Sequence, residues 1–162
     1  MDDCCCGGLL ENASGDTLWC RVCQTKSARV DELTVKALLT EAALRRFEPG
    51  AYRFCPAAGC EVVYFEDGGH TFTTRDLRVA VWHKEPIGAR TICYCFGENE
   101  SDMRDELART GASRAVERVR EHITVRRCAC EVRNPRGTCC LGDVSAAVER
   151  MREASRQQVA RP

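Results

Sequence analysis

Cysteines carry most of the chemistry available to this chain of 162 residues, which contains thirteen of them. Cys20 and Cys23 form a CxxC pair, and Cys55 and Cys60 form a CxxxxC pair. Each pair can present two sulfurs to one ion, and a short structured segment can bring the two turns together. The spacing predicts a tetrahedral zinc site of structural type, because four thiolates leave zinc no open position for catalysis. A CxxC redox pair would leave Cys55 and Cys60 unexplained and lacks the strand-to-helix context of thioredoxin-like motifs.

A second group of thiols begins with Cys93 and Cys95. After a cysteine-free stretch of helical periodicity it continues with four more: Cys128, Cys130, Cys139 and Cys140. In an extended loop, side chains two residues apart point to the same side, so the first two sulfurs can reach a single iron. A [2Fe-2S] cluster needs four thiolates, and the far end must therefore supply two more. A second zinc could use the same thiols, so ligand geometry alone leaves both metals open.

The cysteines Cys4, Cys5 and Cys6 lie in residues 1–16, an acidic stretch with turn formers and no periodicity, which predicts a flexible tail. Vicinal thiols on a mobile segment can bind a soft cation such as Cu+, because two or three thiolates satisfy it without a fixed geometry. The competing interpretation is a disordered tail with incidental cysteines. Residues 158–162 are predicted to form a second, charged tail.

Three features argue against the disulfide framework that such a cysteine content would indicate in a short secreted chain. The count is odd, several cysteines are adjacent or one residue apart, and residues 1–16 lack the pattern of a signal peptide. The thiols are therefore expected to bind metal in the cytoplasm. A net charge of zero and the lack of a long apolar run predict neither nucleic-acid binding nor membrane insertion.

No nucleophile and base pair, phosphate loop or paired carboxylates suggest ordinary enzymatic turnover in this sequence. The protein is therefore not expected to be an enzyme. Any reaction would be the transfer of an electron or of a metal ion, with one-electron reduction of a metal as the open case.

The segment between the two cysteine pairs is predicted to be helical. Apolar residues follow Thr34, a candidate N-cap, at helical spacing, and Pro49-Gly50 ends the run. Beyond the second pair, Val62–Phe65 and Thr71–Thr73 are rich in strand formers and are predicted to form a hairpin.

A short helix at residues 75–79 and a strand at residues 80–82 complete a small α+β domain, which is predicted to cover residues 17–84. His70 and His83 lie on this domain. They are expected to be ordinary surface or turn residues, because four cysteines already fill the coordination sphere of zinc.

Residues 85–91 combine Pro, Gly and charge without periodicity and are predicted to be a linker. The next domain, residues 92–157, is predicted to be helical. Asn99 caps its first helix, a second helix covers residues 113–123, and Asp143 caps a third. A DNA-binding helix-turn-helix is disfavoured, because this domain is not basic and its turns contain thiols.

Three motifs occur together in this chain: Val62–Phe65 after the CxxxxC pair, Cys93-Tyr-Cys95-Phe-Gly97, and Asn134-Pro135-x-Gly137-x-Cys139-Cys140. In combination they resemble the zinc- and [2Fe-2S]-binding amino-terminal region of iron-sulfur copper chaperones, from about residue 18 to residue 153. The second half is similar to bacterioferritin-associated ferredoxin. The resemblance implies an α+β fold in which a small Cys4 zinc-binding domain precedes a helical [2Fe-2S]-binding domain of that ferredoxin type.

The resemblance also implies a ligand set for each metal. Zinc would be bound by Cys20, Cys23, Cys55 and Cys60. The [2Fe-2S] cluster would be bound by Cys93, Cys95, Cys130 and Cys140. Cys128 and Cys139 are then spare, although Cys128 is near enough to substitute for a ligand. With Cys4, Cys5 and Cys6, these spare thiols are candidate ligands for a soft-metal cargo such as Cu+.

The function implied is that of an iron-sulfur and zinc metalloprotein of copper-chaperone type, which handles copper or another soft heavy metal and transfers single electrons. Reduction of Cu2+ to Cu+ would accompany this role. The expected partners are a metal carrier domain or a P-type metal-transporting ATPase, together with an unidentified redox partner. Related chaperones carry a further ferredoxin-like domain with a CxxC for Cu+, which these residues do not include. The alternative is a ferredoxin-like electron carrier or redox sensor with no metal cargo.

Overall fold

The computed structural model describes residues 19–159, with side chains up to residue 157. The predicted tail with Cys4, Cys5 and Cys6 lies outside the described residues. The described chain forms two compact units. The first unit comprises residues 19–85 and Glu131–Thr138, and the second comprises Pro86–Cys130 and residues 139–159. The two units therefore meet in the sequence between residues 85 and 86, but the later segment Glu131–Thr138 belongs to the first unit.

The first unit contains a four-stranded antiparallel sheet whose strands follow one another in chain order. The strands are β1 (Ala28–Arg29), β2 (Arg53–Phe54), β3 (Val62–Phe65) and β4 (Thr71–Thr73). All four side chains of β3 are buried, which agrees with its β-branched and aromatic composition. The hairpin of β3 and β4 forms as the sequence predicts.

Two short helices precede β2 in the first unit. The first, α1 (Glu32–Leu38), is capped by Asp31, whose carboxylate accepts the N–H of Leu33 at 2.7 Å. The expectation that Thr34 is the N-cap is wrong, because this residue lies inside α1 and its hydroxyl is used elsewhere. The second helix, α2 (Glu41–Leu44), is capped by Thr40.

The segment after β4 differs from the prediction of a helix followed by a strand. It contains two 3-10 turns, Thr74–Asp76 and Trp82–Lys84, and residues 80–82 form no strand. Asp76 fixes the first turn, because its carboxylate accepts the backbone N–H and the hydroxyl of Thr73. Local capping therefore determines the structure of this segment.

Aromatic side chains form the centre of the hydrophobic core of the first unit. Tyr52, Tyr64 and Phe72 are almost completely buried, and the rings of Tyr52 and Phe72 stack with centroids 6.0 Å apart. A buried tyrosine must find a partner for its hydroxyl. The hydroxyl of Tyr52 donates to the carbonyl of Glu48 at 2.7 Å, and that of Tyr64 donates to the carbonyl of Pro135 at the same distance.

The second unit begins with a two-stranded hairpin of β5 (Thr91–Cys93) and β6 (Glu98–Asn99). The helices that follow are α3 (Glu100–Thr110), α4 (Ala115–Thr124) and α6 (Leu141–Val159), and the single turn α5 (Cys130–Arg133) starts at the end of this unit's first segment. Helices α3 and α4 both pack against α6.

One of the predicted helix caps in the second unit is confirmed and one is wrong. The side chain of Asn99 accepts the backbone N–H of Asp102 at 2.9 Å, and Gly111 ends α3 in the left-handed conformation with φ 76°. Asp143 does not cap the last helix. It lies in the first turn, because α6 already begins at Leu141. None of the helices within residues 19–159 has the length and apolar character needed to cross a membrane.

Candidate metal centres

Four thiols of the first unit converge on one point. The sulfurs of Cys20, Cys23, Cys55 and Cys60 all lie within 4.8 Å of one another. The closest pairs join one cysteine of each motif: Cys23 and Cys55 are 3.5 Å apart, and Cys20 and Cys60 are 4.0 Å apart. Three of the four residues are buried, and Cys23 is partly exposed. The arrangement offers four soft donors to a single ion.

Short-range backbone hydrogen bonds shape both turns that carry these thiols. In the first turn, the N–H of Cys20 donates to the carbonyl of Thr25 at 2.9 Å, and the N–H of Gln24 donates to the carbonyl of Cys20 at 2.7 Å. Gln24 takes a positive φ of 57° to close this turn. In the second turn, Cys55 follows β2 directly and its N–H donates to Val63 on β3, while the N–H of Cys60 donates to Ala57.

Cys23 differs from Cys55 and Cys60 in its proton affinity. Burial acts to raise the pKa of Cys23, but hydrogen bonds with the side chain and backbone of Thr25 outweigh it and lower this pKa to about 6. Burial raises the pKa of Cys55 to about 12 and also raises the pKa of Cys60. A metal that binds this group must therefore displace protons from buried thiols, which makes its affinity dependent on pH.

Lys84 lies beside this group and was not singled out by its position in the sequence. Its Nζ donates to the carbonyl of Ala57 at 2.6 Å, inside the second cysteine turn. Its positive charge acts to lower the pKa of Cys55. The lysine therefore fixes the turn and offsets part of the negative charge of the thiolates. Its place after the last strand gives no sequence signal for this role.

The two histidines of the first unit stay apart from the four thiols. His70 is exposed, and its Nε2 lies 3.2 Å from the carboxylate of Glu48. His83 stacks on Trp82 with ring centroids 3.8 Å apart and meets the edge of Phe54. Neither residue joins the sulfur group identified among the described residues.

The second unit brings together the four cysteines that the resemblance implies for a cluster. The sulfurs of Cys95 and Cys130 are 3.8 Å apart, and the thiol of Cys140 interacts with those of both Cys93 and Cys130. Cys93, Cys130 and Cys140 are buried, and Cys95 is partly exposed. The four sulfurs form a connected chain. Within residues 19–159, the first group is the one whose four sulfurs all lie within 4.8 Å of one another.

Burial separates three of these four thiols, Cys93, Cys130 and Cys140, from the remaining thiols of this unit. Cys128 and Cys139 are both partly exposed. The charge of Cys139 acts on its neighbour, since it contributes to the raised pKa of Cys140. The structure thus places the six thiols in two classes, of which the more buried one contains three of the four predicted ligands.

Cys93 and Cys140, which are in contact at one end of this chain of sulfurs, also differ in proton affinity. The hydrogen bond with Cys140 lowers the pKa of Cys93. The bond of Cys140 with Cys130 acts in the same direction on Cys140, but the bond with Cys93 and burial outweigh it, so the pKa of Cys140 is raised. Of these two thiols, Cys93 is therefore the one that loses its proton more readily.

The hairpin of β5 and β6 fixes Cys93 and Cys95. Gly97 closes the loop between them and β6 with φ 73°, and its N–H donates to the carbonyl of Cys93 at 2.8 Å. The N–H of Ala129, which precedes Cys130 in the sequence, donates to the sulfur of Cys95 at 3.3 Å. Backbone N–H groups at sulfur are a recurrent means of tuning iron-sulfur ligands.

A partly buried ion network fastens this hairpin to the helices. Glu98 pairs with Cys93 in the hairpin register and has a side chain only 8% exposed. Arg118 of α4 binds it through two hydrogen bonds of 2.7 and 2.8 Å, and also binds Glu106 of α3 at 2.6 Å. The hydrogen bond from Arg118 lowers the pKa of Glu106 to about 2. Sequence reasoning missed this network, since Glu98 and Arg118 are twenty residues apart without a shared motif.

A second ion pair holds the entry to the hairpin. Glu100 at the start of α3 is 1% exposed, and its carboxylate accepts a hydrogen bond from Arg90 at 2.5 Å and from the N–H of Gly88 at 2.6 Å. Arg150 of α6 lies 3.4 Å from the same carboxylate. Charged side chains therefore fix both ends of the loop that carries the first two thiols of this group.

Comparisons with known proteins show that this chain is similar to a zinc-binding domain and to a copper chaperone. Residues 17–78 match the family model zf_CopZ, which is described as a zinc binding domain. The copper chaperone CopZ of Archaeoglobus fulgidus is 33% identical over 123 residues, which cover 75% of this chain and 57% of the relative. The chain therefore spans little more than half the length of this curated relative.

A solved structure supports the same relation. The X-ray structure of the Archaeoglobus fulgidus CopZ N-terminal domain aligns with 80% of this chain and 96% of its own length, at 29% identity and a TM-score of 0.64. The zinc-binding part of the predicted resemblance and its relation to a copper chaperone are confirmed. The [2Fe-2S] cluster and the ferredoxin type of the second half stay predictions.

Proposed function

From the premise that this chain is a homologue of the copper chaperone CopZ and carries a CopZ-type zinc-binding domain, we propose that it handles copper or another soft metal and transfers single electrons. The observation that carries the proposal is the presence of two separate groups of four thiols, one in each unit. Such a donor set suits soft or borderline metals and excludes the oxygen-rich coordination of calcium or magnesium.

The first group is assigned to structural zinc. Its four sulfurs converge within 4.8 Å of one another, as a single tetrahedral ion requires, and no donor position is left for a substrate. The match of residues 17–78 to a zinc binding domain supports this metal. In this role zinc contributes to the folding of the first unit rather than to a reaction.

The second group is assigned to a [2Fe-2S] cluster held by Cys93, Cys95, Cys130 and Cys140. The chemistry of these donors fits, since the cluster takes four thiolates and contacts between neighbouring sulfurs link these four residues into one connected chain. Their more extended arrangement favours a pair of metals over one ion. When bound, the cluster would supply the exchange of single electrons, which is the chemistry that converts Cu2+ to Cu+.

Copper is proposed as cargo, to be bound outside the resident metal sites. Cys128 and Cys139 are partly exposed and belong to neither ligand set, which suits a metal that must be gained and released. Cys4, Cys5 and Cys6 would add three soft donors. The similarity to a protein named as a copper chaperone supports copper as the cargo. The proposed recipient is a metal carrier domain or a P-type metal-transporting ATPase, with transfer in the cytoplasm.

The test begins with the metal content of protein purified without oxygen. We expect one zinc and two irons with sulfide per chain, and an EPR signal on one-electron reduction. Cu+ is then titrated against the wild type and against a variant with serine at positions 4, 5 and 6. A colourless protein without iron would contradict the cluster. Reversible electron cycling without any thiolate-bound copper would instead favour the electron carrier without cargo.

A further inference from the structure

The segment Glu131–Thr138 has an unusual position in the chain. Its neighbours in sequence are Cys130 and Cys139, which belong to the second unit, but its own contacts place it in the first unit. It therefore joins Cys130 to Cys140 through a segment that the zinc-binding unit holds. We call residues 131–138 the docked loop.

Two buried hydroxyls of the first unit hold the docked loop. Tyr64, on β3, is completely buried, and its hydroxyl donates to the carbonyl of Pro135 at 2.7 Å. Thr34, inside α1, is 1% exposed, and its hydroxyl donates to the carbonyl of Glu131 at 2.7 Å. These bonds span 71 and 97 residues of sequence, so neither is part of local secondary structure.

The docked loop is itself shaped for this contact. Asn134 is buried, and its side-chain amide closes the loop by donating to the carbonyl of Thr138 at 2.7 Å and accepting the N–H of Arg136 at 3.0 Å. Gly137 has φ 69°, and a Cβ added there would come within 2.6 Å of the hydroxyl oxygen of Thr34. A side chain at position 137 would therefore displace the atom that holds the start of the loop.

We propose that Tyr64 and Thr34 are positioning residues for the second thiol group, and that the zinc-binding unit controls the assembly of that group through the docked loop. This inference rests on the proposed function, since it assigns Cys130 and Cys140 to a metal. The contacts of the docked loop with the first unit restrict the conformations that Cys130 and Cys140, on either side of the loop, can adopt. By thermodynamic linkage, metal binding at those thiols must stabilise the docked loop in return.

The chain offers a matched control for this proposal. Tyr52 and Tyr64 are both fully buried in one core, and each donates to a backbone carbonyl at 2.7 Å. The acceptor of Tyr52 is Glu48, which is remote from the docked loop in sequence and lies within the same unit. Tyr52→Phe and Tyr64→Phe thus remove the same chemical group from the same core, and differ in whether the docked loop loses a bond.

The experiment uses the full chain loaded with zinc but free of iron, and measures alkylation of each cysteine by iodoacetamide with mass spectrometry. We expect Tyr64→Phe to raise the alkylation rates of Cys130 and Cys140 about fivefold. Loss of one hydrogen bond of ordinary net strength changes an equilibrium constant by about this factor. Tyr52→Phe should leave these rates unchanged. Thr34→Val should act like Tyr64→Phe, and Thr34→Ser, which keeps the hydroxyl, should restore the wild-type rates.

Equal rates at Cys130 and Cys140 in the two tyrosine variants would overturn the proposal. So would a rise in Tyr64→Phe that is accompanied by loss of zinc, since general unfolding would then explain it. The iron and sulfide content of the wild type tests the proposed cluster separately. A wild type that takes up no iron would refute the cluster, whereas the alkylation comparison would still decide the role of Tyr64 and Thr34.

Discussion

The two thiol groups use the same kind of donor but are built in different ways. In the first group, each pair of cysteines sits in one tight turn, and hydrogen bonds of a few residues' span shape that turn. In the second group, a partly buried ion network and the docked loop, which the first unit holds, position the sulfurs. A site built from local turns depends mainly on its metal for stability, whereas a site built from distant side chains depends on those side chains.

The largest effect should follow from removing a ligand of the first group. Cys60→Ser should abolish zinc binding and unfold the first unit, because apparent zinc affinities of about 10–16 kcal/mol match or exceed the stability of a small domain. Zinc content and circular dichroism measure both effects. Cys128→Ser, at a partly exposed thiol outside the group, is the control and should retain zinc. A native spectrum for zinc-free Cys60→Ser would contradict the dependence on metal.

The next effect tests the ion network of the second group. Arg118→Met leaves the buried carboxylate of Glu98 without its partner and should lower the free energy of unfolding by about 3 kcal/mol, near the low end for such changes because Arg118 is 35% exposed. Urea denaturation measures this change. Arg114→Met is the control, since Arg114 is exposed and its ion pair with Glu121 is 3.9 Å long, worth at most about 0.5 kcal/mol. Equal losses in both variants would show that the network has no special role.

The pH dependence of the same network gives a somewhat smaller effect. The pKa of Glu106 is lowered to about 2, so its stabilising contribution is complete above its ordinary pKa near 4.5 and is lost as the pH falls towards 2. Glu106→Gln should therefore reduce the free energy of unfolding by about 2 kcal/mol at pH 7 and by much less at pH 2.5. Urea midpoints of wild type and variant at both pH values measure the difference, and a difference independent of pH would contradict the assignment.

The smallest effect concerns the charge beside the first group. Lys84→Met removes a hydrogen bond to Ala57 and a positive charge that acts on Cys55, and should weaken zinc binding about fivefold. Competition with a chromogenic chelator measures the affinity. Lys36→Met is the control, since this half-exposed lysine pairs with Glu32 on α1. An unchanged affinity for Lys84→Met would show that the turn does not need this lysine.

What the sequence predicts follows the same division between local and distant interactions. The CxxC and CxxxxC spacings, the hairpin at Val62–Phe65 and the cap at Asn99 are local patterns, and the structure contains each of them. The prediction of an N-cap at Thr34 is wrong because a distant interaction, not a local one, determines the role of this residue. Its hydroxyl suits an N-cap, but the structure uses it for a contact 97 residues away. No periodicity or spacing reports such a contact.

The roles of Glu98 and Arg118 were missed for the same physical reason. A charged residue in a sequence is usually solvated, and only the tertiary structure shows that Glu98 is buried and bound by two hydrogen bonds. The motif Asn134-Pro135-x-Gly137 was recognised from a resemblance, whereas the reason for its glycine appears only in the approach of Thr34.

The docked loop has a consequence for the order of events during synthesis. Residues 19–85 leave the ribosome well before residues 131–138, which complete the same unit. At about 5–20 residues per second, the first unit must wait roughly 3–10 s for its last segment. During that interval the acceptor for the hydroxyl of Tyr64 does not yet exist, although all four thiols of the first group have already been made. Under the proposed function, the nascent chain has all ligands of its zinc site before it can organise its second thiol group, so zinc is expected to bind before the proposed cluster.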